Sequence, residues 1–334
     1  MPIVGIFGGS GFVGSFIAKE LISKDYKVKI LDIREPPNEI RSNVEYISCD
    51  IRRFDEVKRC IRDVDVVVNA AIVQIPLINE QKRLGYEVNI VGTQNLCEAV
   101  ESSPNVKGML LVSSWHVIGE SGINGVVDEG FGYRPDKVED RARLYALSKT
   151  GQEVVVRFFD HMSSKVFGII RIGTALGEGM PEKTAANMFI ENALREKPLT
   201  PYAHSMYRPM IYVDVEDVAK AFRIYVEKIL SGEINKTRYP ESPIILVAYP
   251  EPITVLDLAN IMKETVYKLS KGMLNPEIRI VNTGQKSLFT EKDKEKFKLD
   301  ISKAKQVLRL GKLKHPKESI RRIVALRMRR LGLL

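Results

Sequence analysis

The length and composition of the chain are those of an ordinary folded protein. Its 334 residues suffice for two lobes, or for one large domain with an appendage, and exclude a single small module. With 44% hydrophobic and 28% charged residues, global disorder is excluded as well. The formal net charge of +9 could attract phosphate-bearing ligands, nucleic acid or an anionic membrane surface, and charge alone does not choose among them.

The cysteines and the apolar runs indicate the cellular compartment of the protein. Cys49, Cys60 and Cys97 are odd in number and form no Cys-x-x-Cys pair, so neither a disulfide framework nor a structural metal site is indicated. No apolar run reaches the roughly 18 residues of a membrane span. The N-terminus enters a strand directly, without the basic and apolar regions of a signal peptide. We therefore expect a cytoplasmic protein with no membrane span and no metal.

Six short β-rich runs alternate with stretches of helical periodicity in the first half of the chain. The runs are Ile3 to Phe7, Val28 to Leu31, Val44 to Ile47, Val64 to Asn69, Met109 to Ser113 and Val166 to Ile172. Strands that alternate with helices form a parallel sheet covered on both faces. The pattern predicts an α/β fold with a doubly wound parallel sheet (Rossmann), with its ligand at the carboxyl ends of the strands.

A glycine-rich loop follows the first predicted strand. Its glycines recur every three residues, which suits a tight turn, a close approach of the backbone to a pyrophosphate, and close packing of helix on sheet. The next helix adds free N–H groups and the positive end of its dipole. A dinucleotide site is predicted, with a purely structural turn as the alternative. The expected contacts are Gly8, Ser10, Gly11, Phe12, Val13 and Gly14.

A carboxylate closes the second predicted strand. In dinucleotide sites an acidic residue roughly 20 residues after the glycine loop meets the adenosine ribose, and Asp32 lies close to that position. It should accept hydrogen bonds from the ribose hydroxyls and repel a 2′-phosphate, which favours NAD over NADP. Ile33 follows, and Arg34 could partly compensate for such a phosphate. A plain carboxylate in a surface turn is the alternative.

The alternation loosens after Gly173, where a smaller C-terminal substrate-binding lobe is predicted. The NAD-binding domain would span residues 1–173 and be rejoined by about 210–248, and the smaller lobe would comprise 174–209 and 249–334. From Lys312 on, Lys and Arg are frequent, yet apolar residues recur at helical spacing. This predicts a packed helix with a solvated basic face, and a surface for an acidic partner or a membrane is the alternative.

Seven short segments occur in the order typical of the extended short-chain dehydrogenase/reductase family. They are Gly8 to Gly14, Cys49 to Ile51, Asn69 to Ala71, Val88 to Thr93, Ser113 to Ser114, Tyr145 to Lys149 and Arg208 to Val213. The chain resembles the NAD-dependent epimerase/dehydratase group most, over nearly its whole length. The resemblance implies that Asp50 and Ile51 contact the adenine of the cofactor. It implies further cofactor contacts from Asn69, Ala70, Ala71 and Asn89.

The spacing Tyr-x-x-x-Lys occurs three times, and one occurrence has a suitable context. Tyr133 and Lys137 bracket a proline, and Tyr267 lies in the second lobe. Tyr145 and Lys149 lie in a proline-free stretch after the fifth strand, where this spacing puts both side chains on one helix face. The predicted catalytic pair is therefore Tyr145 and Lys149, and a surface pair is the alternative.

The chemistry explains why these two residue types occur together. A tyrosine with an ordinary pKa near 10 is a poor base at neutral pH, so Lys149 and the nicotinamide charge are expected to favour the phenolate of Tyr145. The tyrosine could then exchange a hydroxyl proton while a hydride moves. By the resemblance, the hydroxyl of Ser114 holds the reacting oxygen. A strand-end hydroxyl bonded to backbone is the alternative for Ser114.

The residues after Ser114 depart from the family pattern. Trp115 and His116 stand where dehydratases place an Asp-Glu pair, which disfavours dehydration. Ser-Ser-Trp-His-Val-Ile-Gly and Arg-Ile-Gly-Thr resemble segments of hexuronate dehydrogenases, in which the residues matching Trp115, His116 and Thr174 line the sugar pocket. The alternatives are a buried histidine bonded to backbone and a tryptophan that simply packs.

Arg208 opens a segment similar to that of nucleotide-sugar epimerases, in which the arginine contacts the diphosphate. Because Pro209 replaces the family's aspartate, a partner for a carboxylate is the alternative for Arg208. Gln74 is a further expected substrate contact.

The combined prediction is an NAD-dependent sugar epimerase, with a nucleotide sugar as the leading substrate, that works through a transient keto intermediate. A uronate or sugar dehydrogenase with net NADH release and a non-catalytic NAD-binding regulator are the alternatives. Nucleic-acid binding is not expected, since no motif accompanies the basic surplus. Relatives pair through two helices per subunit, so a homodimer is expected through residues 88–100 and 145–159.

Overall fold

Strands and helices alternate along most of the chain. The computed structural model describes residues 1–234 and 242–334. The strands are β1 (Ile3–Phe7), β2 (Lys27–Asp32), β3 (Glu45–Ser48), β4 (Val66–Asn69), β5 (Gly108–Ser114), β6 (Gly125–Val127), β7 (Val166–Ile172), β8 (Thr174–Leu176), β9 (Pro209–Met210), β10 (Tyr212–Asp214), β11 (Ile244–Val247), β12 (Ile253–Thr254) and β13 (Phe297–Leu299). The helices are α1 (Phe12–Ile22), α2 (Asn38–Arg41), α3 (Phe54–Cys60), α4 (Leu77–Glu80), α5 (Lys82–Tyr86), α6 (Gly92–Ser102), α7 (Arg143–Met162), α8 (Ala185–Leu194), α9 (Val215–Ser231), α10 (Val255–Leu269), α11 (Ser302–Val307) and α12 (Pro316–Arg330).

A seven-stranded parallel sheet forms the centre of the protein. Its strand order is β11-β7-β5-β4-β1-β2-β3, so the sheet grows outward from β1 in both directions with helical crossovers. The six predicted runs correspond to β1–β5 and β7. The register places Phe7, at the end of β1, opposite both Leu31 and Asn69. The sheet confirms the predicted doubly wound α/β fold and brings the carboxyl ends of its strands to one edge.

The sheet has an apolar core on each face, because side chains alternate along a strand. Val4 and Ile6 belong to the cluster that includes the buried sides of α1 and α9. Phe7 of the same strand belongs to the opposite cluster, with residues of α3, α6 and α7. Both faces are thus covered. Buried polar side chains occur at strand ends, as with Asp32 on β2 and Ser114 on β5.

The residues after β7 contribute strands to three two-stranded pairs, one of them with the earlier β6, and form several helices. Strand β8 pairs with β10, β9 with β12, and β13 with β6, while α10 packs against α8 and α12. The division into lobes at residues 173, 209 and 248 stays a prediction. Within the predicted rejoining segment, residues 235–241 lie outside the described residues.

The predicted basic C-terminal helix is present as α12, and one face of it is buried. Asp214, at the N-terminus of α9, accepts a hydrogen bond from Ser319 at 2.6 Å and pairs with Arg322 at 2.8 Å. Arg327 pairs with Glu178, also at 2.8 Å. The interpretation of this segment as a packed helix is confirmed, and part of its positive charge is neutralised within the protein.

No helix among residues 1–234 and 242–334 is long and apolar enough to cross a membrane. In the same part of the chain, no three or more His, Cys, Asp and Glu side chains are grouped so that they could hold a metal ion.

Candidate active site

The glycine loop folds tightly on itself at the carboxyl end of β1. Gly8 has a φ of +71°, which glycine adopts without strain. A Cβ on Gly8 would lie 2.5 Å from the amide nitrogen of Ala71, and a Cβ on Gly14 would lie 2.3 Å from the carbonyl oxygen of Gly8. The loop therefore packs without side chains against the start of α1 and against the segment that follows β4.

The start of α1 suits an anion. The helix begins at Phe12, and the amide of Ser15 makes a bond of 2.9 Å to the carbonyl of Gly11. The amides before Ser15 lie at the helix N-terminus, where N–H groups have no partner within the helix and the dipole is positive. A pyrophosphate fits such a cradle.

Two backbone amides fix the carboxylate of Asp32 at the end of β2. Its oxygens accept hydrogen bonds from the amide of Ser10 at 3.1 Å and from the amide of Arg34 at 3.0 Å. The side chain of Arg34 is 70% exposed, and its Nε lies 3.8 Å from the carboxylate. Ile33 is exposed between them. Asp32 and the glycine loop are thus neighbours, as a ribose next to a pyrophosphate requires.

The residues expected near the adenine are held by their own neighbours. Ile51 is buried against the start of α6, where a Cβ on Gly92 would lie 2.6 Å from its side chain. Asp50 forms an ion pair with Arg52 at 2.6 Å. The hydrogen bonds from Arg52 hold the pKa of Asp50 below its usual value.

Two buried asparagines brace the segment after β4. Asn69 accepts a hydrogen bond from the amide of Ala71 at 3.1 Å. Asn89 accepts one from the amide of Val73 at 2.8 Å and donates one to Ser148 at 2.9 Å. The amide of Asn89 therefore ties this segment to α7.

Tyr145 and Lys149 lie one turn apart near the start of α7. The ammonium of Lys149 donates to the carbonyl of Val112 in β5 at 2.7 Å. Burial lowers the pKa of Lys149 to about 7, with Glu153 acting against that shift. Burial raises the pKa of Tyr145 to about 12, with a hydrogen bond to Ser114 acting against it. The groups that shift the pKa of Tyr145 do not include Lys149, so the effect expected of its ammonium on the phenolate stays a prediction.

Successive serines at the end of β5 have different partners. The hydroxyl of Ser113 donates to Glu153 at 2.5 Å, and Glu153 pairs with Arg171 at 2.8 Å. The hydroxyl of Ser114 is next to Tyr145 and lies 3.0 Å from Nδ1 of His116. Because side chains alternate along a strand, only Ser114 is placed with the tyrosine.

The other two Tyr-x-x-x-Lys spacings have different surroundings. The hydroxyl of Tyr133 accepts a hydrogen bond from Arg157 at 3.2 Å, and the guanidinium of Arg171 lies 5.1 Å from the centre of its ring. Tyr267 is 47% exposed on α10. Tyr145 is thus the tyrosine of the three that shares a site with Ser114.

Trp115 and Thr174 are joined to each other. The indole of Trp115 has no exposed surface and donates a hydrogen bond of 3.0 Å to the hydroxyl of Thr174. Trp115 therefore packs in the interior, which was the alternative to a place in the sugar pocket. Thr174 is half-buried. Gln74 is exposed on the segment after β4.

Sequence reasoning missed two acidic residues next to Arg208. The guanidinium of Arg208 is buried, with Nη1 2.5 Å from Glu139 and 3.8 Å from Glu120. Glu120 is also 3.4 Å from Nε2 of His116. The i, i+4 spacing of His116 and Glu120 was visible in the sequence, whereas Glu139 gave no signal. Arg208 therefore pairs with carboxylates, which was the alternative to a contact with a diphosphate.

Comparison with known proteins assigns the chain to a family. Residues 4–237 match the model of the NAD dependent epimerase/dehydratase family. The chain belongs to that family, which confirms the resemblance seen in its motifs. It is therefore an NAD-dependent enzyme, and NAD is its cofactor.

Individual relatives have different activities. A protein of Methanocaldococcus jannaschii, provisionally named a UDP-glucose 4-epimerase, is 30% identical over 225 residues, which cover 65% of this chain and 70% of that protein. The 3 beta-hydroxysteroid dehydrogenase/Delta 5-4-isomerase of vaccinia virus (strain Copenhagen) is 32% identical over 124 residues, 36% of each chain. The structure of the Thermotoga maritima UDP-glucose 4-epimerase with UDP-glucose superposes with a TM-score of 0.79 at 20% identity, over 98% of this chain and 99% of that one. This last similarity supports the fold.

Proposed function

We propose that this enzyme is a sugar epimerase, with a nucleotide sugar as substrate, that works through a transient ketone. The observation that carries the proposal is the meeting of Tyr145 and Ser114 at the end of β5, beside the buried Lys149. NAD, when bound, accepts a hydride from the carbinol carbon and returns it. In the proposed site Ser114 holds the reacting oxygen, Tyr145 exchanges its proton, and Lys149 orients the cofactor and adds positive charge.

The proposed cofactor site runs along the carboxyl edge of the sheet. The close packing around Gly8 and the fixed carboxylate of Asp32 support this placement. The proposed contacts are Gly8, Ser10, Gly11, Phe12, Val13 and Gly14 at the pyrophosphate, Asp32, Ile33 and Arg34 at the adenosine ribose, Asp50 and Ile51 at the adenine, and Asn69, Ala70, Ala71, Asn89, Tyr145 and Lys149 toward the nicotinamide.

The proposed substrate contacts are Gln74, Ser114, His116, Thr174 and Arg208. The predicted contact Trp115 is fully buried behind Thr174 and is not among them. Arg208 would hold the diphosphate while the sugar turns over. Because Glu139 lies 2.5 Å from its guanidinium, binding a phosphate requires Arg208 to exchange a carboxylate for the ligand. The similarity to UDP-glucose 4-epimerases supports a nucleotide sugar.

The same contact favours a second candidate, an NAD-dependent uronate or sugar dehydrogenase. Glu120 and Glu139 neutralise the guanidinium that would otherwise attract a diphosphate. A free sugar would not need that anchor. In this candidate the oxidised sugar leaves and NADH follows it, with His116 and Thr174 at the sugar and Trp115 packed behind Thr174.

One experiment separates the candidates. The enzyme and NAD are incubated with nucleotide sugars, free sugars and uronates, and both NADH absorbance and sugar products are recorded. We expect a nucleotide sugar to give its epimer without stoichiometric NADH, and Arg208→Ala to lose most of that activity. Steady NADH formation from galacturonate or glucuronate, unaffected by Arg208→Ala, would establish the dehydrogenase instead.

We also propose a homodimer that pairs through residues 88–100 and 145–159. The helix that contains the second segment, α7, carries exposed apolar residues at helical spacing, namely Leu147, Val154, Phe158 and Met162. Such a stripe on a soluble protein commonly marks an interface. Phe158→Glu should convert dimers to monomers in light scattering at micromolar concentration, and a wild-type protein that is monomeric there would refute the pairing.

We further propose a reducing, cytoplasmic location. The three cysteines are free and buried, which is consistent with it. Protein purified without reductant should give three free thiols on unfolding.

A further inference from the structure

The carboxylate of Glu153 on α7 is bonded to side chains of two neighbouring strands. It accepts a hydrogen bond of 2.5 Å from the hydroxyl of Ser113 in β5. It also accepts two from the guanidinium of Arg171 in β7, with Nε 2.9 Å from Oε1 and Nη2 2.8 Å from Oε2. Ser113 and Arg171 are opposite each other in the register of the two strands. The carboxylate therefore fastens α7 to the ends of β5 and β7 at one point.

This point of attachment lies next to proposed catalytic groups on both elements. On α7, Glu153 comes one turn after Lys149, and its charge acts on that ammonium. On β5, Ser113 lies between Ser114 and Val112, whose carbonyl accepts a hydrogen bond of 2.7 Å from Lys149. The bond from Ser113 to Glu153 thus holds the strand between the hydroxyl and the ammonium that the proposed reaction uses.

The guanidinium that holds Glu153 is itself fixed. Nη1 of Arg171 donates to the carbonyl of Glu129 at 3.4 Å, and the ring of Tyr133 lies 5.1 Å away from the guanidinium. The carboxylate of Glu129 accepts a hydrogen bond of 2.8 Å from the amide of Leu246 in β11. Because each partner has further partners, the position of Glu153 is set by three strands of the sheet.

Stability alone is a weak reason for a buried ion pair. The side chains of Glu153 and Arg171 are 0% and 2% exposed, and desolvation offsets much of the attraction between such charges. What the pair provides is direction, because a guanidinium that donates two hydrogen bonds fixes both oxygens of a carboxylate. A reacting group displaced by about 1 Å can lose about 10²-fold in rate. A fixed carboxylate next to the site is therefore of use to catalysis.

We propose that Glu153 is a positioning residue for the proposed reaction, on which this inference rests. It holds Ser114 in place through Ser113, and it holds Lys149 in place through the stretch of α7 that they share. The hydroxyl and the ammonium then keep a constant separation while the sugar is oxidised and reduced. Glu153 itself neither contacts the substrate nor exchanges a proton.

Ser113→Ala tests the role because it removes the hydrogen bond and leaves the ion pair of Glu153 intact. We expect kcat for an active sugar to fall about tenfold, with KM and NAD affinity within about twofold of wild type. Steady-state kinetics and calorimetry measure these quantities, and urea denaturation gives the free energy of unfolding. A hydroxyl that only stabilised the fold would change the last quantity and leave the kcat of the folded enzyme unchanged.

The matched control is Ser319→Ala on α12. The hydroxyl of Ser319 also donates to a buried carboxylate that pairs with an arginine, namely Asp214 and Arg322, and it lies outside the proposed contacts. This variant should lose a similar free energy of unfolding and keep its kcat. If Ser113→Ala behaved in the same way, the positioning role would be overturned and the epimerase proposal would stand. A wild type that turns over no sugar would overturn the proposed function instead.

A second measurement needs no turnover and examines Glu153 itself. Carbon-13 NMR of lysine-labelled protein follows the protonation of Lys149, whose signal is the one lost in Lys149→Met. In Glu153→Gln the pKa of Lys149 should be lower than in the wild type, because the carboxylate raises it against the effect of burial. An unchanged pKa would overturn the role of Glu153 at Lys149 whatever the activity. Ser113→Ala, which keeps the buried charges paired, decides the question if Glu153→Gln does not fold.

Discussion

The proposed cofactor end and the proposed substrate end of the active site are built from different material. The cofactor end is mostly backbone, in short segments that follow β1, β2 and β4, where Gly8 and Gly14 permit contacts that a side chain would prevent. The substrate end is a network of charged side chains. Arg208 and Glu139, its closest pair, are separated by 69 residues in sequence. Substitutions that affect one end alone therefore test whether the two ends are independent.

Tyr145→Phe should break the substrate end alone and have the largest effect. It removes the hydroxyl that exchanges the proton, so we expect turnover to fall by about 10³-fold or more, with NAD affinity within about twofold of wild type. Steady-state kinetics and calorimetry measure the two. The control Tyr267→Phe alters a half-exposed tyrosine on α10 and should change neither. Full activity in Tyr145→Phe would refute the proposed mechanism.

Lys149→Met should reveal how much free energy of unfolding is lost by burying the ammonium of Lys149, which the proposal places between the cofactor and Tyr145. The folded pKa of Lys149 is about 7, against about 10.4 for an unfolded lysine. Between these values the unfolded chain binds more protons, so Lys149 makes the free energy of unfolding rise with pH, on the order of 1 kcal/mol per unit. Below about pH 7 the ammonium is charged in both states and its penalty is complete.

The variant should lose this slope and be stabilised by a few kcal/mol at pH 7, while NAD affinity and turnover fall. Urea denaturation of both proteins from pH 6 to pH 9 measures the difference. If the free energies of unfolding of the two proteins changed with pH in parallel, the lowered pKa of Lys149 would be contradicted.

Gly14→Ala should break the cofactor end alone. The added Cβ would lie 2.3 Å from the carbonyl oxygen of Gly8, so the loop must shift. We expect NAD affinity to fall at least about tenfold and the free energy of unfolding to fall by about 2 kcal/mol. Gly311→Ala, where a Cβ meets open space, is the matched control. Unchanged NAD binding in Gly14→Ala would place the cofactor elsewhere.

Asp32→Ala should have the smallest effect and sharpens the picture of the adenosine site. Without the carboxylate, the preference for NAD over NADP should narrow by about tenfold, roughly 1.4 kcal/mol. Titration calorimetry with both nucleotides tests this. Wild-type binding that is equal or tighter for NADP would instead make Arg34 a phosphate ligand.

Much of the cofactor end could be predicted from the sequence. The spacing of Gly8, Gly11 and Gly14 between a strand and a helix, and the position of Asp32 after the next strand, are local patterns. Their contacts follow from backbone geometry once the parallel sheet is recognised. The choice of Tyr145 over Tyr133 and Tyr267 likewise needed only local context.

The substrate end could be predicted only in part. The motif around Ser114 suggested that Trp115 and His116 lie near the sugar, yet burial turned Trp115 into a packing residue bonded to Thr174. Arg208 resembled a diphosphate contact, and the fold placed carboxylates next to it. No sequence pattern predicts that Arg208 lies next to these two carboxylates.

The sequence by itself determined the parallel sheet, the glycine loop and the spacing of Tyr145 and Lys149 on one helix, because these depend on periodicity and on spacing within one or two elements. The family followed from the resemblance of seven ordered motifs, and the catalytic roles of Tyr145 and Lys149 stay predictions. Only the tertiary structure decided that His116 faces Glu120 and that Arg208 meets Glu139. It also decided that burial raises the pKa of Tyr145 to about 12. The physical reason is that protonation and ion pairing depend on burial and on charges brought together from distant segments, which no local pattern records.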